Sequence, residues 1–187
     1  MATRPKPTIK GIFVRSHIAA LRAAKGPASV RELEKRYGRP LKFKNSDNVP
    51  VHDEVKLIEQ VLDLMSNQPV PPAERAFEAG RLHFRNFTTT PLAKIVFSVY
   101  RQELKRVLMS AASIAGHVFQ GVDFTSEELG PTAVRITLQN NDYPLDHFRG
   151  LFDEWIRYSG HKGSVNGTES ADGSFVYDLH WDAQSTS

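Results

Sequence analysis

The sequence predicts an α+β fold: an N-terminal helical part packed on a C-terminal antiparallel sheet, with one helix covering that sheet. Three observations predict it. Apolar residues recur every three or four positions from Ile12 to about residue 114. The period changes to two in Val134-Arg-Ile-Thr-Leu138 and again in Phe175-Val-Tyr-Asp-Leu-His-Trp181. Between those stretches the run Leu145 to Tyr158 returns to the helical period, so a helix is flanked by strands it can cover.

Taken in order, residues 1–9 carry two prolines and no periodicity, and read as a flexible tail. Ile12, Phe13, His17, Ile18, Leu21 and Ala24 share one helical stripe, which Gly26-Pro27 ends. Ser29 and Glu32 have capping-box spacing for a short helix over about 30–37. Residues 41–50 are polar and turn-like. Val51, Val55, Ile58, Val61, Leu62 and Met65 then give a helix one buried face. Pro72 starts the next helix, whose buried side carries Gly80, Phe84 and Phe87. A glycine there costs about 1 kcal/mol against alanine, which a closely passing backbone makes tolerable. Pro91 to about residue 114 reads as one bent helix or two.

From His117 the alternation of Val118, Gln120, Val122 and Phe124 predicts a first strand. Glu128-Leu-Gly-Pro131 predicts the turn of a hairpin with the Val134–Leu138 strand. After the 145–158 helix, Ser159-Gly160 reads as its C-cap. Residues 161–170 have little apolar content and predict an edge strand, one able to pair with a second copy in a homodimer. In the last strand Phe175, Tyr177, Leu179 and Trp181 share a face. The organisation is a single domain: tail 1–9, a mainly helical part 10–115, an α+β subdomain 116–182, and a tail 183–187.

At 187 residues the chain is long enough to bury a sizeable core. No apolar run approaches the roughly 18 residues of a membrane span. The start has no secretory h-region, and the absence of cysteine removes disulfides, thiolate zinc sites and a thiol nucleophile. A reducing, cytoplasmic setting fits. The net charge of +3 conceals an asymmetry: residues 1–44 hold 12 Lys/Arg against 2 Asp/Glu, and the remainder is acidic. Two readings stand. The basic segment, Arg4 to Lys44, contacts nucleic acid or another polyanion, or it packs against the chain's own acidic half.

No Gly-x-Ser-x-Gly elbow and no P-loop occur, and no histidine pair has HExxH-type spacing, so neither an enzyme nor a metal is predicted. His147, beside Asp146, reads as a solvated surface group. Phe148, Phe152, Trp155, Tyr177 and Trp181 either line a ligand cavity between helix and sheet or fill a core there. Arg81, His83 and Arg85 either form an anion or partner surface or belong to a solvated face. His180 points away from the core, and Asp178 shares its face for a cross-strand polar contact.

Five stretches carry a resemblance over some 170 residues. They are Lys10-Gly11-Ile-Phe-Val with its helix; Glu78-Ala-Gly-Arg-Leu-His-Phe-Arg-Asn-Phe; the Val134–Leu138 strand; the helix ending Tyr158-Ser-Gly160; and the terminal Phe175–Trp181 strand. In this order they resemble a paralogous family of unknown function expanded in myxobacteria. That family is distantly similar to the haem nitric oxide/oxygen-binding (H-NOX) domains and to the V4R small-molecule-binding domains. The resemblance implies sensing or regulation rather than catalysis. It makes His117 the nearest candidate haem ligand. It also implies a Tyr-x-Ser-x-Arg clamp for the propionates, and the matching Gln139-Asn-Asn-Asp-Tyr-Pro144 lacks it. The functional expectation is a non-enzymatic cytoplasmic sensory, regulatory or adaptor module, acting on a small apolar ligand or a protein partner without a resident cofactor. The alternatives are a nucleic-acid- or anion-binding protein, and a haem-based gas sensor through His117.

Overall fold

The computed structural model describes residues 5–99 and 103–183. A short strand β1 (Thr8–Lys10) leads into helices α1 (Gly11–Lys25) and α2 (Pro27–Tyr37). Strand β2 (Asn48–Pro50) precedes α3 (Val51–Met65) and α4 (Pro72–Phe87). Three shorter helices follow: α5 (Pro91–Val99), α6 (Leu104–Met109) and α7 (Ala111–Val118). The chain closes with β3 (Phe119–Gln120), β4 (Asp123–Gly130), β5 (Ala133–Gln139), α8 (Leu145–Tyr158), β6 (Gly163–Glu169) and β7 (Phe175–Trp181).

The larger sheet is antiparallel throughout, in the order β4-β5-β7-β6, and α8 lies against it. The predicted α+β architecture is therefore the observed one. The weakly apolar strand is β6, at an edge, as its composition implies. A bidentate cross-strand pair, Arg135 Nε and Nη2 to the Asp178 carboxylate at 2.7 and 2.8 Å, ties β5 to β7.

The sequence reading missed a second sheet, β2-β1-β3. It is built from strands of two or three residues, too short to show a period. Ile9, assigned to a flexible tail, is fully buried in its central strand and pairs with Val49 and Phe119. The first large strand also starts later than the alternation implied. Residues 111–118 remain helical because Ala111, Ile114, Ala115 and Val118 form an apolar stripe facing α4 and α8. Gly121, at a φ of 79°, then turns the chain from β3 toward β4. Glu128 to Gly130, expected as a turn, stay in β4 through a bulge, and the turn itself is Pro131–Thr132.

One crossing fixes the relation of the helical part to the sheet. Helix α4 packs on α8, and α8 packs on the sheet. At the crossing Gly80 faces the carbonyl of His147, and Gly150 faces the carbonyl of Phe77. A Cβ on either glycine would overlap the opposing backbone. The helical cost of Gly80 is thus offset by the close approach it permits.

Candidate functional site

That close approach brings four helices to one buried polar cluster. His17 sits on the apolar stripe of α1, between Val14 and Leu21. Glu54 occupies the buried face of α3, one turn from Val51 and Ile58. His83 and Asn86 lie on the buried face of α4, and His147 on the first turn of α8. His17, Glu54 and His147 are 0% exposed, and His83 is 2% exposed, so water does not solvate them. Tyr143, just ahead of α8, closes the cluster.

The contacts form a chain. Asn86 Nδ2 lies 2.9 Å from His17 Nδ1, and His17 Nε2 lies 2.9 Å from Glu54 Oε1. With the amide so oriented, Asn86 donates to Nδ1, and the Nε2 proton of His17 is donated to the carboxylate. Glu54 Oε1 lies 3.7 Å from His83 Nδ1, which is 3.0 Å from His147 Nε2. The Tyr143 hydroxyl stands by the Glu54 carboxylate, and among the described residues His147 Nδ1 has no hydrogen-bond partner. No Lys or Arg pairs with Glu54 among the described residues; its ion-pair neighbours are His17 and His83.

Burial pushes the imidazoles of His83 and His147 down, to about 3 and about 4, so both are neutral near pH 7. Burial alone would raise Glu54; the adjacent His83 and the hydrogen bond from His17 more than reverse that, bringing it to about 2. Burial, with the Glu54 carboxylate beside it, raises the Tyr143 phenol well above its usual range. The cluster therefore holds a desolvated carboxylate close to two rings, His83 and His147, that are neutral near pH 7.

An apolar cavity of about 50 Å³ adjoins this cluster, with the His83 ring forming part of its wall. Phe84, Ala115, Phe148, Phe152 and Trp155 form other parts. Of the five aromatics singled out in sequence, Phe148, Phe152 and Trp155 thus face the cavity. Tyr177 packs on Phe148 and Phe152 from the sheet and donates its hydroxyl to Leu145 O. Trp181 lies in a separate surface groove with Leu104 and His161. Arg81 is held by Glu78 and Glu154, and Arg85 by Glu154, on the outer side of α4. His83 points inward, away from both. His117 is exposed at the end of α7 and lies off the Ala111–Val118 stripe that borders the cavity.

Sequence reasoning located His17 on a buried stripe but did not connect it to other groups. Glu54 and His83 could have been found in the same way. Each falls three or four residues from apolar members of a buried face, where an unpaired ionisable side chain is costly. His147, read as solvated, is fully buried because the glycine crossing draws α4 over it.

Solved structures share this fold. An oxygen-binding H-NOX domain related to soluble guanylate cyclases, in its oxygen complex, is 17% identical; the match covers 93% of this chain and 95% of that one, with a TM-score of 0.65. A point mutant of the T. tengcongensis H-NOX domain is 17% identical, over 93% and 98% of the two chains, with a TM-score of 0.62. A structure described as giving insight into H-NOX activation is 20% identical, over 93% and 97%, with a TM-score of 0.62. At these identities the likeness is one of fold. No curated protein matches the chain in sequence. Residues 2–182 match the profile of DUF2378, described as a protein of unknown function, and the chain belongs to that family.

Proposed function

We propose that this chain is a non-enzymatic, cytoplasmic sensory or regulatory module whose signal is a very small apolar ligand, relayed to a protein partner. The observation that carries the reading is the apolar cavity of about 50 Å³ where α4, α7 and α8 meet. It is far below the roughly 300–1,000 Å³ of pockets for drug-sized ligands. Dry apolar cavities of about 150 Å³ take up benzene or xenon, so the space here suits a ligand of a few atoms. A position between the helical part and the sheet lets occupancy alter how the two pack. The burial of every ionisable group in the adjoining cluster argues against substrate turnover there.

One of the similar structures concerns haem distortion in the H-NOX family. The side chains of this chain do not fit haem held through His117. That residue is exposed, and the helix face bordering the cavity presents Ala111, Ile114, Ala115 and Val118. No Tyr-x-Ser-x-Arg clamp follows β5. The fold supports a sensor; these residues support a haem-free one.

Xenon tests the ligand reading. Pressurising methyl-labelled protein with xenon should shift the methyl resonances of Ala111, Ile114, Ala115 and Leu151 saturably, leaving Val165 on β6 unmoved. An unsaturable or uniform response removes the ligand reading.

A second reading rests on charge. Within residues 10–44 the cations paired with carboxylates are Arg36, to Glu32, and Arg39, to Asp53. Arg22, Lys25, Arg31, Lys35, Lys42 and Lys44 make no such pair among the described residues. Most cations of the basic segment thus lack a carboxylate partner among the described residues, Arg39 to Asp53 being the pair made with the acidic half, and this supports contact with a polyanion. A gel shift with mixed-sequence DNA at low salt tests it; no shift at micromolar protein rejects it.

A further inference from the structure

We infer that His17, Glu54 and His83 form a binding site for one borderline divalent transition-metal ion, of the zinc(II) class. The three donor atoms lie within 4.8 Å of one another, on three different helices. Two edges of the triangle are 2.9 Å, from His17 Nε2 to Glu54 Oε1, and 3.7 Å, from His83 Nδ1 to Glu54 Oε1. With metal–ligand bonds of about 2.0–2.1 Å, donors of a tetrahedral site stand roughly 3.3–3.4 Å apart. Those two edges straddle that value, each within about half an ångström of it, and the third, from His17 to His83, lies within 4.8 Å. Two imidazoles and one carboxylate are a donor set for zinc or ferrous iron rather than for calcium or magnesium.

Two further observations point to a cation. The Glu54 carboxylate is fully buried, and its pairing neighbours among the described residues are the His17 and His83 rings, with no Lys or Arg, a costly setting for a carboxylate. Among the described residues His147 Nδ1 has no hydrogen-bond partner, and what stands beside the carboxylate, apart from the two rings, is the Tyr143 phenol, which carries no balancing charge. A divalent ion resolves the charge and leaves positions for a fourth ligand. His147 Nε2, 3.0 Å from His83 Nδ1, is the next nitrogen donor at hand.

Binding requires a rearrangement of protons rather than of the fold. The proton on His17 Nε2 moves to Nδ1, so that Nε2 can ligate. Asn86 then turns its amide to present Oδ1 to the Nδ1–H, the outer-shell partner that metal-bound histidines have. The proton in the His83 Nδ1–His147 Nε2 contact moves within its own ring to the far nitrogen, His83 Nε2 or His147 Nδ1, which frees His83 Nδ1 to ligate. Because the donors are buried, the ion enters as the helices assemble, and exchange from folded protein is slow.

The test starts from intact protein unfolded in guanidinium with chelator, then refolded without metal and titrated with cobalt(II). One cobalt per chain is expected, with visible d–d bands of four- or five-coordinate cobalt, loss of those bands on adding zinc(II), and a raised Tm. Asn86→Leu, a positioning variant, should weaken binding about 10–100-fold while the bands persist at saturation. Glu54→Gln should abolish them. His180→Ala, at an exposed histidine, should bind as the parent does. Refolded parent protein with native circular dichroism that takes up neither metal, and shows no Tm shift, overturns the inference. So does binding that His180→Ala removes. Neither outcome bears on xenon uptake by the cavity.

Discussion

Gly80 of α4 and Gly150 of α8 form a reciprocal pair at one crossing, each set against a carbonyl of the opposite helix, Gly80 against His147 and Gly150 against Phe77. This close approach lets α4 pack on α8, which in turn covers the sheet. It also sets the site, since His83 stands three residues after Gly80 and His147 three before Gly150. Gly80→Ala gains about 1 kcal/mol of helix propensity but drives a methyl into a main-chain group that cannot rotate aside. The expected net loss is about 3 kcal/mol, with a similar loss for Gly150→Ala. The double variant should lose less than the sum, because one displacement relieves both overlaps. Urea unfolding followed by Trp155 fluorescence checks all three values.

The buried histidines predict acid sensitivity of the chelator-treated protein. His83 and His147 face Glu54, His17, Asn86 and Tyr143 from α3, α1, α4 and the segment before α8. Their folded values of about 3 and about 4 lie below the ordinary 6.5. As pH falls below about 6.5 the unfolded chain takes up both protons and the folded chain does not. Unfolding then binds protons, so stability falls with pH, from about 6.5 down to about 4 for His147 and about 3 for His83. Glu54, at about 2 against 4.5, adds a loss of the same sign below about pH 4.5. By pH 5 the cost is on the order of 2 kcal/mol per histidine. Proton uptake measured from the pH dependence of urea midpoints should be close to two near pH 5, and close to one in His147→Gln. A flat profile from pH 7 to 5 contradicts the neutral, buried assignment.

The fold was largely legible because its long elements carry strong periods: α1, α3, α4, α8, β5 and β7 follow from apolar spacing. Strands β1, β2 and β3 were not, since two or three residues cannot establish alternation; Ile9 is recognisable as core only once Val49 and Phe119 flank it. The site was legible in pieces. His17, Glu54 and His83 each occupy an apolar stripe, and an ionisable residue there signals a buried partner. Which partner depends on how helices distant in sequence cross, and that is decided by the space at Gly80 and Gly150. His147 illustrates the limit, for its burial depends on a helix 64 positions upstream.

The cavity reading predicts that added volume replaces ligand. Ala115 sits on the α7 stripe facing Phe84, Phe148 and Trp155. Ala115→Val places two methyl groups into the void of about 50 Å³. Stability should change by less than about 1.5 kcal/mol, because the added groups enter space and do not displace neighbours. The saturable xenon response at Ala111 and Leu151 should vanish. A fully retained response would mean that the ligand occupies some other part of the junction.

The basic N-terminal segment predicts a response to salt that the cavity does not. If Arg22, Lys25, Arg31, Lys35, Lys42 and Lys44 meet phosphates, each contact releases counterions from DNA. The logarithm of the binding constant then falls linearly with the logarithm of salt, with a slope of about −0.9 per neutralised phosphate. Arg31 and Lys35 occupy successive turns of α2, exposed and without carboxylate partners among the described residues. Arg31→Gln with Lys35→Gln should flatten the slope by about 2 and weaken binding equally for unrelated DNA sequences. Fold stability should be nearly unchanged, since neither side chain makes a contact that the helix needs. Arg36→Gln, whose guanidinium is engaged by Glu32, should alter the slope less. Equal effects from all three positions would indicate long-range attraction by net charge in place of a bound face.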